Sequence, residues 1–159
     1  MRIKTELSER PPVFTVSREG QKAVIVFYTD VQEVQREDGE TAYEAVSWTL
    51  ETSWQEDIAA RIGADVASWL TLAQNEAIKI AAADARELRD KLLAASDSLM
   101  ALDRLGLEVP SGASFTSWLS FFRKLGEALL GGIAIYRKAL RDIPEQPGFP
   151  FDIDWPEKP

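Results

Sequence analysis

AVIVFYTDVQEVQREDGETAYEAVSWTLETSWQEDIAARIGADVASWLTLA, Ala23 to Ala73, decides the fold. Ala23 to Val34 is dense in β-branched and aromatic residues (Val24, Ile25, Val26, Phe27, Tyr28, Val31, Val34). Asp38-Gly39 interrupts it, and Thr41 to Thr52 follows with Ala42, Val46, Trp48 and Leu50 on alternate positions. Two β-rich runs around Asp-Gly predict a hairpin, with Arg36, Glu37 and Glu40 able to join a longer turn. At Ser53 the period changes. Ser53 and Glu56 have capping-box spacing, and Ile58, Ile62, Val66, Trp69, Leu70 and Ala73 then recur at helical intervals.

Upstream, Met1 to Pro12 reads as a loosely ordered arm ending in Pro11-Pro12, with a β-rich Val13 to Val16 and a turn signal at Glu19-Gly20. A two- or three-stranded antiparallel sheet is expected, too small to stand alone, which must pack on a helix or another subunit. Downstream, no proline occurs between Pro12 and Pro110. Trp54 to about Leu105 therefore reads as one long helix, or two with a break near Gln74-Asn75. Its stripe continues through Ile78, Ala81, Leu88, Leu92, Ala95, Leu99 and Leu102. Leu105 to Ser114 reads as a loop with Ser114 as a cap. A last helical segment, Phe115 to about Arg141, is apolar at Trp118, Leu119, Phe122, Leu125, Leu129, Ile133, Tyr136 and Leu140. Gly131-Gly132 predicts a kink or a close backbone contact in it. Pro144 stops it, and the prolines beyond Glu145 predict an extended tail.

The fold class expected is α+β: an amino-terminal hairpin or small sheet, long helices forming a helical hairpin, and an extended proline-rich tail. The parts would be 1–52 (arm and hairpin), 53–143 (helices) and 144–159 (a tail packing on the helices). No internal repeat or low-complexity tract is seen.

Composition narrows function by exclusion. The 159 residues carry a formal charge of -8, which opposes unassisted binding to nucleic acid or an anionic membrane surface. There is no histidine and no cysteine, which removes the commonest general base, disulfides and thiolate zinc sites. The amino terminus lacks a signal-peptide apolar stretch. The most apolar window, Ala128 to Ile135, is too short to span a bilayer. No enzyme, cofactor or metal site is expected. Asp152 and Asp154 sit two residues apart in a proline-rich tail and read as solvated acids, not an acid–base pair. Glu37 to Glu40 lacks a calcium-loop pattern and reads as a turn. Ser111 to Ser114 could accept an anion but reads better as ordinary capping.

The aromatics are more informative. Trp48, Trp69 and Trp118 fit core positions, and Trp54 and Trp155 complete the tryptophans. Around Trp155 the tail alternates large apolar residues with prolines and acids, a pattern suited to docking in a groove of this chain or another. A narrow apolar stripe on so long a helix predicts a seam for self-association or a partner, through Ile58, Ile62, Val66 and Trp69 and again through Leu88 and Leu92.

One run is more specific. Tyr136-Arg137-Lys138-Ala139-Leu140-Arg141-Asp142 is followed by Gln146-Pro147-Gly148-Phe149-Pro150 and then by Trp155-Pro156. It resembles the carboxy-terminal motif of bacteriophage tail (tail-fibre) assembly chaperones. Upstream, Ala85-Arg86-Glu87-Leu88-Arg89-Asp90-Lys91-Leu92-Leu93-Ala94-Ala95-Ser96-Asp97 looks like that family's first helix, with Ser98 where a tryptophan is usual. The stretch Leu99 to Leu130 is longer and more apolar than the family's loop.

The resemblance implies a protein that binds a phage tail or tail-fibre protein in the host bacterial cytoplasm during assembly. Its candidate partner-binding residues would be Tyr136, Arg137, Leu140, Arg141, Asp142, Gly148, Phe149, Pro150, Trp155 and Pro156. A structural subunit of the tail, baseplate or fibre, retained in the virion, is the alternative. A homo-oligomer is expected, with a trimer favoured by the threefold symmetry common in phage fibres.

Overall fold

The structure, a computed structural model, describes residues 1–36, 39–97, 108–112 and 114–159, and for 128–130 the backbone alone. The expected stripe positions Leu99 and Leu102, the turn residues Glu37 and Asp38, Leu105 to Leu107 and Ala113 of the expected loop, and the Leu129 side chain lie outside the described residues. The chain divides into two compact units, Met1–Ala81 and Ala82–Pro159.

The amino-terminal unit holds four strands, β1 (Arg2–Leu7), β2 (Phe14–Glu19), β3 (Lys22–Gln35) and β4 (Thr41–Ser53). They form one antiparallel sheet in the order β1-β4-β3-β2. The α+β class is therefore observed, with more sheet than expected. Met1 to Pro12 is not an arm: Arg2 to Leu7 pairs with Trp48 to Tyr43. Its alternation of polar and apolar residues is that of an edge strand, which has water on one side and needs little apolar content.

Turn chemistry sets the two hairpins. Gly20, first of the two residues between Glu19 and Lys22, has φ 63°, as a type II′ turn requires. At the β3–β4 turn Gly39 has φ 84°, Arg36 N donates to Glu40 O (2.9 Å), and Gly39 N donates to Arg36 O (2.9 Å). A bulge between Thr29 and Gln32 puts Asp30 at φ 53°.

Ile25, Phe27 and Leu50 are buried from the sheet side together with Ile58 and Ile62. Those two isoleucines come from α1 (Ile58–Ala64), and Val66, Trp69 and Leu70 pack on the same cluster from α2 (Val66–Asp97). Ile58 and Ile62 have 2% and 0% of their surface exposed, so this part of the expected seam is consumed within the unit.

The capping box at Ser53 is absent. Ser53 ends β4 opposite Lys22, and Trp54 N donates to Gln21 O (2.8 Å), so the ladder carries the chain past the expected cap. The helical break also differs from expectation, falling at Asp65 and not at Gln74-Asn75, which are helical. Asp65 is non-helical (φ −150°, ψ 66°), and its Oδ1 accepts from Ser68 N (3.1 Å), a side-chain cap for α2. This hydrogen bonding from Ser68 holds the Asp65 carboxyl below the usual aspartate range.

The carboxy-terminal unit contains the end of α2, then α3 (Phe115–Leu130) and α4 (Gly132–Asp142). The expected kink at Gly131-Gly132 is a complete break: Gly131 is extended (φ −79°, ψ −173°) and α4 starts after it. A Cβ on Gly132 would stand 3.2 Å from the Pro159 Cβ, tighter than an ordinary contact. After α4, Ile143–Glu145 forms one 3₁₀ turn containing Pro144. The next residues, to Asp152, make successive turns where an extended chain was expected. Ile153 to Pro159 has no regular structure.

Candidate partner-binding surface

Within the carboxy-terminal unit three devices bring the motif residues together. The first is an arginine node. Arg137 Nη1 donates to Leu93 O (3.1 Å), Ser96 Oγ (2.5 Å) and Asp97 Oδ1 (2.6 Å). Ser96 is 1% exposed and donates to Leu93 O (2.7 Å), so the buried hydroxyl has both a donor and an acceptor partner. Arg137 is 18% exposed on its side chain against 67% for Asp97, so the ion pair is half in solvent. Its strength comes from the geometry of several charge-assisted bonds more than from burial. The node ties the Tyr-Arg pair on α4 to the Ser-Asp pair at the end of α2.

The second device is a clamp. Gln146 Nε2 donates to Asp154 O (2.8 Å), while Gln146 Oε1 accepts from Asp154 N (2.8 Å). One side-chain amide thus pairs with both backbone groups of a residue in the tail, as a neighbouring strand would. The chain reverses between them: Phe149 N donates to Gln146 O (3.0 Å), and Phe151 N and Asp152 N donate to Gly148 O (3.0 and 2.8 Å). A Cβ on Gly148 would overlap the Asp152 carbonyl oxygen, so only glycine fits. The Phe149–Pro150 peptide is cis.

Third comes the apolar cluster that these bonds surround. Tyr136, Leu140 and Ile143 are buried, with Leu92, Leu93, Phe149, Ile153 and Trp155 packed against them. The Arg86 guanidinium lies 5.5 Å from the centre of the Phe149 ring. Of the motif residues, Tyr136, Leu140, Phe149 and Trp155 are therefore gathered in one place. Arg141 is exposed, Asp142 accepts from Lys138 Nζ (3.0 Å), and Pro156 is half-buried. Leu92 belongs to this cluster, whereas Leu88 is 45% exposed. The two halves of the expected seam thus fall in different units.

Sequence reasoning missed the roles of Ser96 and of the Gln146 side chain, both of which act through hydrogen bonding. Apolar periodicity does not register such residues.

On α3, Phe115, Leu119 and Phe122 are 78%, 59% and 57% exposed, at spacings that share one helix face. Trp118, expected in the core, is half-buried. Its ring contacts Phe121 and Phe122 (centroids 5.9 and 5.7 Å apart), and its Nε1 donates to Gly112 O (3.0 Å). No described residue of α3 is buried. Two exposed phenylalanines and a leucine on one helix face, beside the half-buried Trp118 and Phe121, form a surface of the kind partners cover.

Among the described residues no helix is long and apolar enough to cross a membrane, and no group of acidic side chains is placed to hold a metal ion. No curated protein and no solved structure matches the chain. Residues 82–159, a little under half of the chain and the same span as the second compact unit, match the family model described as phage tail assembly chaperone protein, and the match supports that family for the region holding the arginine node, the clamp and the tail.

Proposed function

We propose that the protein is a phage tail or tail-fibre assembly chaperone that works by binding another protein and catalyses nothing. The observation that carries this reading is the Arg137 node within the matched region, which joins the two motif segments into one unit. In this reading Tyr136, Leu140, Phe149 and Trp155 are the scaffold. The tail locks α4 to the end of α2, and residues beside it meet the client: exposed Arg141 and half-buried Pro156 on the motif, and the exposed Phe115, Leu119 and Phe122 on α3. Aromatic side chains suit this role because they bury a large area at a low entropic cost. The client is a tail or tail-fibre protein, met in the host cytoplasm during assembly.

Co-expression tests this directly. The tail-fibre protein of the same phage is expected to be soluble and oligomeric only when the chain is present, and Leu119→Asp with Phe122→Asp should abolish the help without unfolding the chain. A fibre that folds equally well alone sinks the proposal. A second reading, a subunit kept in the particle, rests on the same exposed apolar face of α3, which a permanent partner would keep covered. Mass spectrometry of purified virions separates the two: absence supports the chaperone, stoichiometric presence the subunit.

A further inference from the structure

Among the described residues, β1 is an edge strand of the sheet, paired with β4 alone. Met1 and Thr49 exchange both backbone bonds (Thr49 N to Met1 O, 2.8 Å; Met1 N to Thr49 O, 3.0 Å). Bonded pairs alternate along an antiparallel ladder, so Ile3, Thr5 and Leu7 turn their amides and carbonyls to β4. Arg2, Lys4 and Glu6 turn theirs to the open edge. A second antiparallel strand must bond those even positions. If that strand is β1 of another copy, parity leaves two registers that pair all but one residue, with the twofold axis at Lys4 or at Thr5.

Charge chooses between them. An axis at Lys4 sets Lys4 against its own copy, although it opposes Arg2 to Glu6. An axis at Thr5 opposes Lys4 to Glu6 twice and sets no like charges face to face. It also pairs Ile3 with Leu7 twice on the other face, covering an Ile3 that is 47% exposed. Glu6 meanwhile accepts from Arg36 Nε within its own chain (2.5 Å), which holds the carboxylate at the edge. The other edge, β2, offers no such match. Val13 O accepts from Tyr28 N (3.0 Å), so Phe14, Val16 and Arg18 face outward there, and no twofold register sets Arg18 against an acid.

We propose that two copies of this chain pair through antiparallel β1 strands centred on Thr5, joining their sheets across a twofold axis. Charged edge residues ordinarily keep sheets apart. Here their order, lysine before glutamate around a central threonine, makes the edge complementary to itself. This interface is independent of the client-binding reading, and its twofold symmetry gives a different mass from the trimer expected above.

Sedimentation velocity on the full chain, over a concentration series, should show monomer and dimer in equilibrium, with the dimer weakening as salt rises. Lys4→Glu is expected to raise the dissociation constant roughly tenfold or more, and adding Glu6→Lys to the same chain should restore it. Lys4→Pro removes an outward amide while sparing the β4 ladder, and should abolish the dimer. The chain has no cysteine, so Thr5→Cys supplies a single thiol. Mild oxidation should cross-link Thr5→Cys into dimers, while Ile3→Cys and Lys4→Cys should stay uncross-linked. This readout stands even if a charge variant folds poorly. A chain that remains monomeric, a trimer, a dimer indifferent to Lys4→Glu and Lys4→Pro, or cross-linking that favours Lys4→Cys would each overturn the proposal.

Discussion

In the amino-terminal unit, Ile25, Phe27, Leu50, Ile58 and Ile62 are buried by apolar contact between a sheet and a short helix. The carboxy-terminal unit has a smaller buried cluster, Tyr136, Leu140 and Ile143, and its chain is held in place by Arg137, Gln146 and Gly148. The first unit relies on a non-directional force that many sequences could supply. The second relies on directional bonds and one close approach, which few residues can replace. Substitutions should therefore follow different rules in the two units: volume governs the first, and atom-by-atom geometry the second.

The comparison is broken most severely in the sheet. Phe27 is 1% exposed and touches the Phe14 ring (centroids 6.0 Å apart) as well as the helix cluster. Phe27→Ala should cost about 3–5 kcal/mol, and Phe27→Leu far less, because a smaller apolar residue still fills most of the site. Urea unfolding with matched slopes measures both. Equal losses would mean that ring geometry, not volume, governs this core.

The same test inverts at Gly148. Adding one methyl in Gly148→Ala should cost about 1–3 kcal/mol, although it adds apolar volume, because the Asp152 carbonyl must move. At Gly20 the strain is of another kind. A Cβ there meets nothing within 4 Å, so φ alone opposes a side chain, and Gly20→Ala should be destabilised by backbone strain without any overlap. If Gly148→Ala melts like wild type, the turn is adjustable and the contrast between the units fails.

How much of this is legible in the sequence follows the same division. The β3–β4 hairpin, Ile58 and Ile62 on one helix face and the stop at Pro144 can be read because apolar spacing and turn residues report them. The strand β1 escapes such a reading because an edge strand needs no apolar run. Ser53 misleads because local capping spacing competes with a ladder that only the fold reveals. The breaks at Asp65 and Gly131 have signals of a familiar kind. Asp65 with Ser68 has cap spacing, but the uninterrupted apolar stripe outweighs it. Arg137 and Gln146 lie in the run from Tyr136 to Pro156 that reads as a motif, yet nothing in their spacing names Ser96 or the Asp154 backbone as partners.

A smaller effect sharpens the picture of the clamp. Gln146→Ala removes two hydrogen bonds at a half-exposed site, where water replaces part of what is lost, so about 1–2 kcal/mol is expected. Gln146→Glu keeps the acceptor for Asp154 N and loses the donor to Asp154 O. It should fall between wild type and alanine, since it also faces a carbonyl with a carboxylate. A tail that is merely draped over Leu140 would show no difference between the two variants. Amide exchange at Asp154 reads the outcome locally.

The smallest expected effect tests whether the amino-terminal unit also contains a directional device. Asp65 caps α2 through its bond from Ser68 N and carries a carboxyl held below the usual aspartate range. A group whose folded pKa is depressed contributes stability that is complete above its unfolded value, about 3.9 for aspartate, and that disappears as pH falls through the folded value. Asp65→Ala should therefore lower the melting temperature at neutral pH by less than Gln146→Ala does, and the gap to wild type should narrow in acid to what a neutral acceptor contributes. Asp65→Asn can still accept from Ser68 N, so it should keep most of the cap while losing the pH dependence. The charge matters as well as the acceptor, because the start of a helix favours an anion, and the neutral amide forfeits that part. If Asp65→Ala differs from wild type by the same amount at low and neutral pH, the side chain acts through packing, and the cap contributes nothing by its charge.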